Sequence, residues 1–389
     1  MKKHKLAYVL ATILGFSSCK KAAHVEPILG KEAVANAFVG ANGAGFNNGI
    51  AENAIFTNPT SMVIDVSGNI YVADNGNKLI RKVTPDGVVT TLAGDRIGGY
   101  QDGTGTAAKF GDGNNTIAID VQNNLYLADV ANSCIRKITP AGVVSTLVGA
   151  PGRSNLDGPI ATAGVNLPTI SDITVDGFNN IYFTDAKGIR KISTDGNVST
   201  ILKIGTGTTT YGPIASQAIV NPQSLTTDKA GNIYVSSRGT NENVIVKIST
   251  DGIVSQVSGK GLVYNNNVVA LAARIGDTKG MCVDNSGNLY MGDAANRVVT
   301  KITTDGFARL VAGVQNPSSN AGVPFKPGLA FETSFADVRD VAVDAGGNVY
   351  VLEFTAASIR KISLVDKPIT PLTQSEIEKA NWNKPTNWK

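Results

Sequence analysis

The sequence predicts an all-β protein, a six-bladed β-propeller built of four-stranded antiparallel blades. Three observations predict it. A seven-residue segment recurs six times, as GNIYVAD (68–74), NNLYLAD (123–129), NNIYFTD (179–185), GNIYVSS (231–237), GNLYMGD (287–293) and GNVYVLE (347–353). Its tyrosines, Tyr71, Tyr126, Tyr182, Tyr234, Tyr290 and Tyr350, fall 52 to 60 residues apart, a period that suits one four-stranded blade. The 42 glycines and the low charged fraction of 17% suit many tight turns between short strands.

Each unit reads the same way in order. In the first, SMVIDV is a β-branched apolar strand, SGN a turn and IYVAD a second strand. After NGN turns the chain again, KLIRKVT alternates apolar and polar residues, PDG makes a third turn, and VVTTLAG is a fourth strand. The sixth unit lacks its fourth strand: nothing after SIRKISLVD (358–366) matches VVTTLAG. AVANAFVG (33–40), upstream of the first full unit, does. It is expected to complete the last blade and so close the ring, leaving no open edge.

The stretch NPTSMVIDVSGNIYVADNGNKLIRKVTPDGVVTTLAG resembles an NHL repeat, and the six copies together resemble a six-bladed NHL propeller over residues 33–366. That resemblance implies a fold more strongly than a function, because the scaffold serves binders, ring-shaped adaptors and a few enzymes. Anchored propellers of this kind resemble accessories to cell-envelope or nutrient-capture systems.

Several repeated residues read as structural. The tyrosine is expected to pack between blades and to place its hydroxyl on a backbone group. The aspartates Asp65, Asp120, Asp176, Asp228, Asp284 and Asp344 suit turn N–H groups; a ring of six carboxylates around a metal is the alternative. A second acid, three residues after the tyrosine, is followed by an arginine on the third strand: Asp74 with Arg81, Asp129 with Arg136, Asp185 with Arg190, Glu353 with Arg360. In the fourth unit the acid is Ser237 and the arginine is Val246, lost together; the fifth keeps Asp293 and has Thr300 at the arginine position, with Arg297 close by. Joint loss predicts a structural carboxylate–guanidinium pair across adjacent strands.

Ligands of propellers sit over the central channel, among the loops that join one blade's outer strand to the next blade's inner strand, and here those loops are the least uniform segments. GFNNGIAENAIF (45–56) and GYQDGTGTAAKF (99–110) share a pattern of Gly-aromatic, Asn/Asp-Gly and Ala-x-Phe. Phe56 and Phe110 read as plugs into the blade core. Tyr100, Asp102, Tyr211, Tyr264 and Phe325 are the candidate ligand contacts, aromatics among polar residues being able to stack on a sugar ring or a peptide.

Catalytic machinery is sparse. Both histidines, His4 and His24, precede the repeats, so the ring holds no His-based acid–base pair, no Ser-His-Asp triad and no His-ligated zinc of the kind found in propeller lyases that this repeat resembles. A Ca²⁺-assisted hydrolase or lyase needs only oxygen ligands and stays open, with no cofactor otherwise expected. Nucleic-acid binding is not expected of a chain whose formal charge of +4 includes Lys2, Lys3 and Lys5 of the leader.

That leader, residues 1–18, has a basic start, a short apolar run and SSC ending at Cys19. It reads as a signal peptide of the lipoprotein type with Cys19 lipidated, although Phe16 stands where such motifs carry Leu. Residues 19–32 read as a tether and 367–389 as a tail with a short helix from Ser375 to Trp382, holding Trp382 and Trp388. Cys134 and Cys282 make no disulfide framework. The expectation is an extracytoplasmic monomer, lipid-anchored to a bacterial outer membrane. It would bind or scaffold a glycan, peptide or envelope protein rather than act as an enzyme; a structural role in an envelope complex is the third reading.

Overall fold

The protein, described as a computed structural model, is detailed over residues 29–40, 45–51, 53–149, 156–161, 171–239, 243–259, 268–314 and 328–368. Residues 33–365 form one compact unit; residues 1–32 and 366–389 are grouped as a second. The signal peptide, Cys19, Tyr264, Phe325, the tail helix, Trp382 and Trp388 lie outside the described residues.

The compact unit is a ring of six sheets, antiparallel throughout but for one short parallel pair in the third. In blade 1 the strands run inner to outer as Pro59–Ile64, Ile70–Asp74, Leu79–Val83 and Val88–Ala93. In blade 6 the first three are Val338–Val343, Val349–Glu353 and Ser358–Pro368. The fourth is Leu29–Val39, from the other end of the chain. It begins four residues before the expected Ala33, inside the segment read as a tether.

Five of the blades have five strands rather than four, and blade 3 has six, Ala218–Ile219 adding in parallel to Asn197–Ile204. A two-residue strand from each connecting loop adds to the outer edge of the blade that the loop leads into: Gly49–Ile50 pairs with Val88–Val89, Gly103–Thr104 with Val143–Val144 and Gly158–Pro159 with Asn197–Val198. The sequence hides these strands because two residues carry no periodicity. Their cause is local: Gly49 and Gly158 sit at φ values of +140° and +136°, open to glycine and costly for other residues, and this lets the loop fold back along the edge. Each addition covers a strand edge that would otherwise offer unpaired N–H and C=O groups.

The core lies between blades. Tyr71 packs with Ile117, Leu125 and Leu127 of blade 2. Tyr126 packs with Ile173, Ile181 and Phe183 of blade 3, and Tyr350 with Met62 and Ile70 of blade 1. The same side chain thus joins each of these neighbours, including the closing pair. The tyrosine hydroxyl donates to the turn aspartate rather than to backbone, as from Tyr126 to Asp120 Oδ2 at 3.1 Å. Asp120 also accepts from Gln122 N and Asn124 N, so one carboxylate ties turn, strand and aromatic together. Cross-strand from each tyrosine a lysine (Lys82, Lys137, Lys191, Lys247, Lys301, Lys361) sets its ammonium 4.8 to 5.8 Å from the ring centroid.

Candidate functional site

The loops that lead into blades 1, 2 and 3 are fastened from below by a buried arginine. A β-bulge between Ile135 and Arg136 interrupts the pairing of the third and fourth strands of blade 2; such bulges re-aim side chains. Arg136 Nη1 donates to Asp129 Oδ2 at 3.1 Å and to Lys109 O at 3.2 Å. Its Nη2 donates to Gln101 O at 2.7 Å and to Asp102 Oδ1 at 2.6 Å. Arg81 makes the corresponding set to Asp74, Ile55 O, Asn47 O and Asn48 Oδ1. Arg190 reaches Asp185, Leu156 O and Asp157. In blade 6 Arg360 is paired with Glu353. All four arginines are buried, with Phe56, Phe110, Phe183 and Phe335 stacked within 5.9 Å of their guanidinium carbons.

Burial pushes the Asp74 and Asp129 carboxyls upward, while donors from Asn77, Asn132, backbone and arginine pull them back. A buried guanidinium supplies several rigid donors at once, so two strands and a loop share one fixed point. The Asn/Asp-Gly step common to the three loops has a purpose invisible in the sequence: its side chain accepts from the arginine while its glycine starts the edge strand.

Above these clamps the loops expose aromatic surface. Tyr100 is 45% exposed, with its ring centroid 5.4 Å from the Arg136 guanidinium carbon. Asp102, two residues on, also accepts from Thr146 N and Oγ1. Tyr211 is 36% exposed, one residue before the edge strand Gly212–Pro213, and so takes the place that Asp102 has in blade 2. Tyr100 and Tyr211 therefore lie on loops of different blades at different registers. The blade-1 counterpart of Tyr100 is Phe46, also 45% exposed, which sequence reasoning passed over although the Gly-aromatic pattern aligns the two.

The inner strands enclose a channel cavity of about 240 Å³. Most of its lining is apolar or small, but Asp172 and Asp340 both face it, from opposed blades 3 and 6. Asp172 accepts from Ser224 Oγ at 2.8 Å, Leu225 N at 3.0 Å and Ile173 N at 2.9 Å. Asp340 accepts from Ser61 Oγ at 3.1 Å, Met62 N at 2.8 Å and Val341 N at 2.8 Å. The environment is thus repeated across the ring, each carboxylate resting on the serine and backbone of the next blade. Burial, with Asp340 opposite as a second cause, raises Asp172 to about 8; burial raises Asp340 to about 6. Both carboxyls are therefore displaced upward from the ordinary carboxylate range, and the two titrate as a pair. Both residues were legible as Asp in SDITVDG and RDVAVDA, at the position where the other copies carry Ser61, Thr116, Ser224 and Gly280. Gly280 leaves room: a Cβ there would meet Asp340 Oδ1 at 2.0 Å.

The remaining chemistry is muted. Burial pushes the Cys134 thiol up to about 12 and Cys282 well above its ordinary value, which leaves both protonated and unreactive. No three His, Cys, Asp or Glu side chains converge as a metal-holding group among the described residues. No helix among them is long and apolar enough to cross a membrane.

Comparison with known proteins places these features in context. The NHL repeat family matches residues 56–83. Teneurin-4 of Mus musculus is 25% identical over 356 residues, covering 81% of this chain but 12% of that protein, so the chain spans a small part of that relative's length. Among solved structures, a protein of unknown function from Bacteroides thetaiotaomicron superposes with a TM-score of 0.63 at 17% identity, covering 86% of this chain and 77% of that one. An auxiliary nutrient binding protein from Bacteroides ovatus superposes at 0.60 with 14% identity, covering 86% and 78%. At such identities the likeness is one of fold.

Proposed function

We propose, from the premise that this chain is a six-bladed β-propeller carrying NHL repeat sequence, that it is a non-catalytic binding propeller presenting its connecting loops to a glycan, peptide or protein partner. The observation that carries this reading is the clamp beneath the loops. Buried Arg81, Arg136 and Arg190 fix the loop backbones while the aromatic faces of Phe46 and Tyr100 stay exposed. A surface held rigid before binding loses little entropy on binding. The fold shared with an auxiliary nutrient binding protein agrees with this role. In the same reading the chain acts as a monomer at the outside of a bacterial outer membrane, lipid-anchored through Cys19. A purely structural place in an envelope complex is the reading left if no ligand is found.

A second reading, a Ca²⁺-assisted hydrolase or lyase acting in the channel, has one observation in its favour. Asp172 and Asp340 line one lumen, and burial raises both carboxyls, Asp172 the further, a separation of the kind that general acid–base chemistry uses. It is the weaker reading, since Ca²⁺ takes about six to eight oxygen ligands and the channel lining contributes two carboxylates already engaged by serine and backbone donors.

Thermal unfolding of the full chain against soluble polysaccharides and peptides, and with Ca²⁺ or a chelator, separates the two. A ligand at about 100 times its Kd stabilises the folded state by about 2.7 kcal/mol. A rise in Tm with a glycan or peptide supports the binder; a rise with Ca²⁺ alone, reversed by chelator and abolished in Asp340→Asn, supports the channel enzyme and overturns the first reading.

A further inference from the structure

Between the loops that lead into blades 1 and 2 lies a cleft of about 510 Å³, lined by residues that include Phe46, Asn47, Asn48, Asn53 and Arg96. Its volume falls within the range of small-ligand sites. The Arg96 guanidinium carbon lies 3.4 Å from the Phe46 ring centroid, so the two planar groups are in face contact. Stacking occupies a face of the guanidinium and leaves its edge, the fork of N–H donors that matches a carboxylate, available. No carboxylate pairs with Arg96 among the described residues. Its neighbour Asp95 also lines the cleft, but its carboxylate is engaged by Lys109 Nζ at 3.4 Å and by Ile97 N and Gly98 N. Arg96 is also held at a φ of +66°, a left-handed conformation that strains a non-glycine residue and tends to persist at ligand-binding positions.

Amides supply the rest of the cleft. The Asn48 carbonyl oxygen accepts from Arg81 and Thr91, which leaves its two N–H donors uncommitted. The side-chain amides of Asn47 and Asn53 have no hydrogen-bond partner among the described residues. Paired amide donors and acceptors suit vicinal hydroxyls, each of which both donates and accepts. An exposed aromatic and a carboxylate-ready guanidinium beside them define one ligand class. We propose that this cleft binds a uronic-acid residue of a glycan, with the carboxylate on the Arg96 fork and the ring hydroxyls on Asn47, Asn48 and Asn53. The proposal rests on the binding reading above and narrows it to acidic saccharides at blade 1.

The test is calorimetric titration of the full chain with galacturonate, mannuronate and glucuronate tetrasaccharides, their methyl esters, and neutral glucose and mannose tetrasaccharides. At least one uronate is expected to bind, its methyl ester at least about tenfold more weakly, because a charge-assisted fork is lost. Arg96→Gln is expected to weaken the uronate by a similar factor with Tm unchanged, Arg96→Lys to recover part of it, and Phe46→Ala to weaken binding through loss of the stack. Equal binding of acid and ester, or an Arg96→Gln protein that binds the uronate as well as the native protein, overturns the proposal and leaves a glycan-binding propeller standing. Binding of neutral saccharides alone, or of an acidic peptide in place of any uronate, overturns the proposal too and moves the binding reading to that partner. No binding of any saccharide overturns it and removes the glycan branch of that reading.

Discussion

Blades 2 and 4 hold their lead-in loops in opposite ways. Blade 2 uses a charge network in which Asp129 and Arg136 are buried and Asp102 is half exposed, with two loop carbonyls on the same guanidinium. Blade 4 replaces all three charged members, with Ser237, Val246 and Tyr211. Its loop is held by hydroxyls: Thr209 Oγ1 lies 2.8 Å from Ser237 Oγ, Ser237 donates to Val220 O at 2.5 Å, and Val220 N donates back to Thr209 at 3.2 Å. Val246 fills the arginine's place in the core and is fully buried. Blade 5 stands between them: it keeps the acid, Asp293, has Thr300 in the arginine's place, and supplies the carboxylate with donors from Gly276 N and Asn296 instead. The energetics explain both departures: removing one member of a buried ionic network is costly unless other donors replace it, whereas removing the whole set and filling the space with apolar atoms can be nearly neutral.

Breaking one set should therefore cost most. Arg136→Met strands buried Asp129, takes the guanidinium donor from the carbonyls of Lys109 and Gln101 and from Asp102, and is expected to lower stability by about 3–5 kcal/mol, read by urea denaturation. A small loss there would mean that the arginine is dispensable and the contrast between the blades incidental.

The second test moves from guanidinium-held carboxylates to hydroxyl-held ones. Asp172, of blade 3, rests on Ser224 of blade 4 with no cation among the channel-lining residues. Its pKa, raised to about 8, lies far above the ordinary carboxylate value of about 3.9. The folded state thus binds a proton that the unfolded chain releases, so the stability this group contributes is complete below about pH 4 and is lost as pH rises through about 8. Asp172→Asn should remove that loss and raise Tm at pH 8–9 relative to the native protein, by an amount on the order of a few kcal/mol of stability. A native stability that is flat between pH 4 and 9, unchanged by the substitution, would contradict it.

Smaller still, and more instructive, is the exchange of sets. Asp129→Ser, Arg136→Val and Asp102→Tyr together put blade 4's uncharged residues in place of blade 2's three charged ones. The triple variant is expected within about 2 kcal/mol of native, less destabilised by equilibrium denaturation than Arg136→Met alone, despite three changes in place of one. If the triple loses more than the single, the sets are not interchangeable. Smallest is Tyr100→Ala above the clamp, expected within about 0.5 kcal/mol in stability; a larger change in the same measurement would mean that the ring packs the blade rather than facing a ligand.

The same two blades show what could be read from the sequence. The six-fold repeat and the closing strand follow from local patterns: β-branched runs, Asn-rich turns and a tyrosine at a fixed phase. Joint loss of Asp and Arg in the fourth copy pointed to a pair. What the sequence did not disclose is that the arginine also holds a loop some thirty residues upstream, since main-chain carbonyls as acceptors leave no residue signature. The channel carboxylates sat in inner-strand copies that read as apolar runs, and only their register against Ser61 and Ser224 sets them apart. The Phe46–Arg96 stack joins loops of different blades; their adjacency depends on how each loop folds back onto its own blade's edge, through strands too short to carry a period.

The sixth blade joins Leu29–Val39 to Ser358–Pro368, strands made first and last. Blades 1 to 5 draw all their strands from consecutive sequence and can each form soon after leaving the ribosome. Ring closure cannot: the leading strand must wait, unpaired and rich in alanine and valine, until Ser358–Pro368 has been synthesised. Contacts this distant in sequence set the slowest step of folding. During that interval an open edge is exposed to association with other chains, so the time of greatest aggregation risk is fixed by the topology and ends only when the last blade is complete.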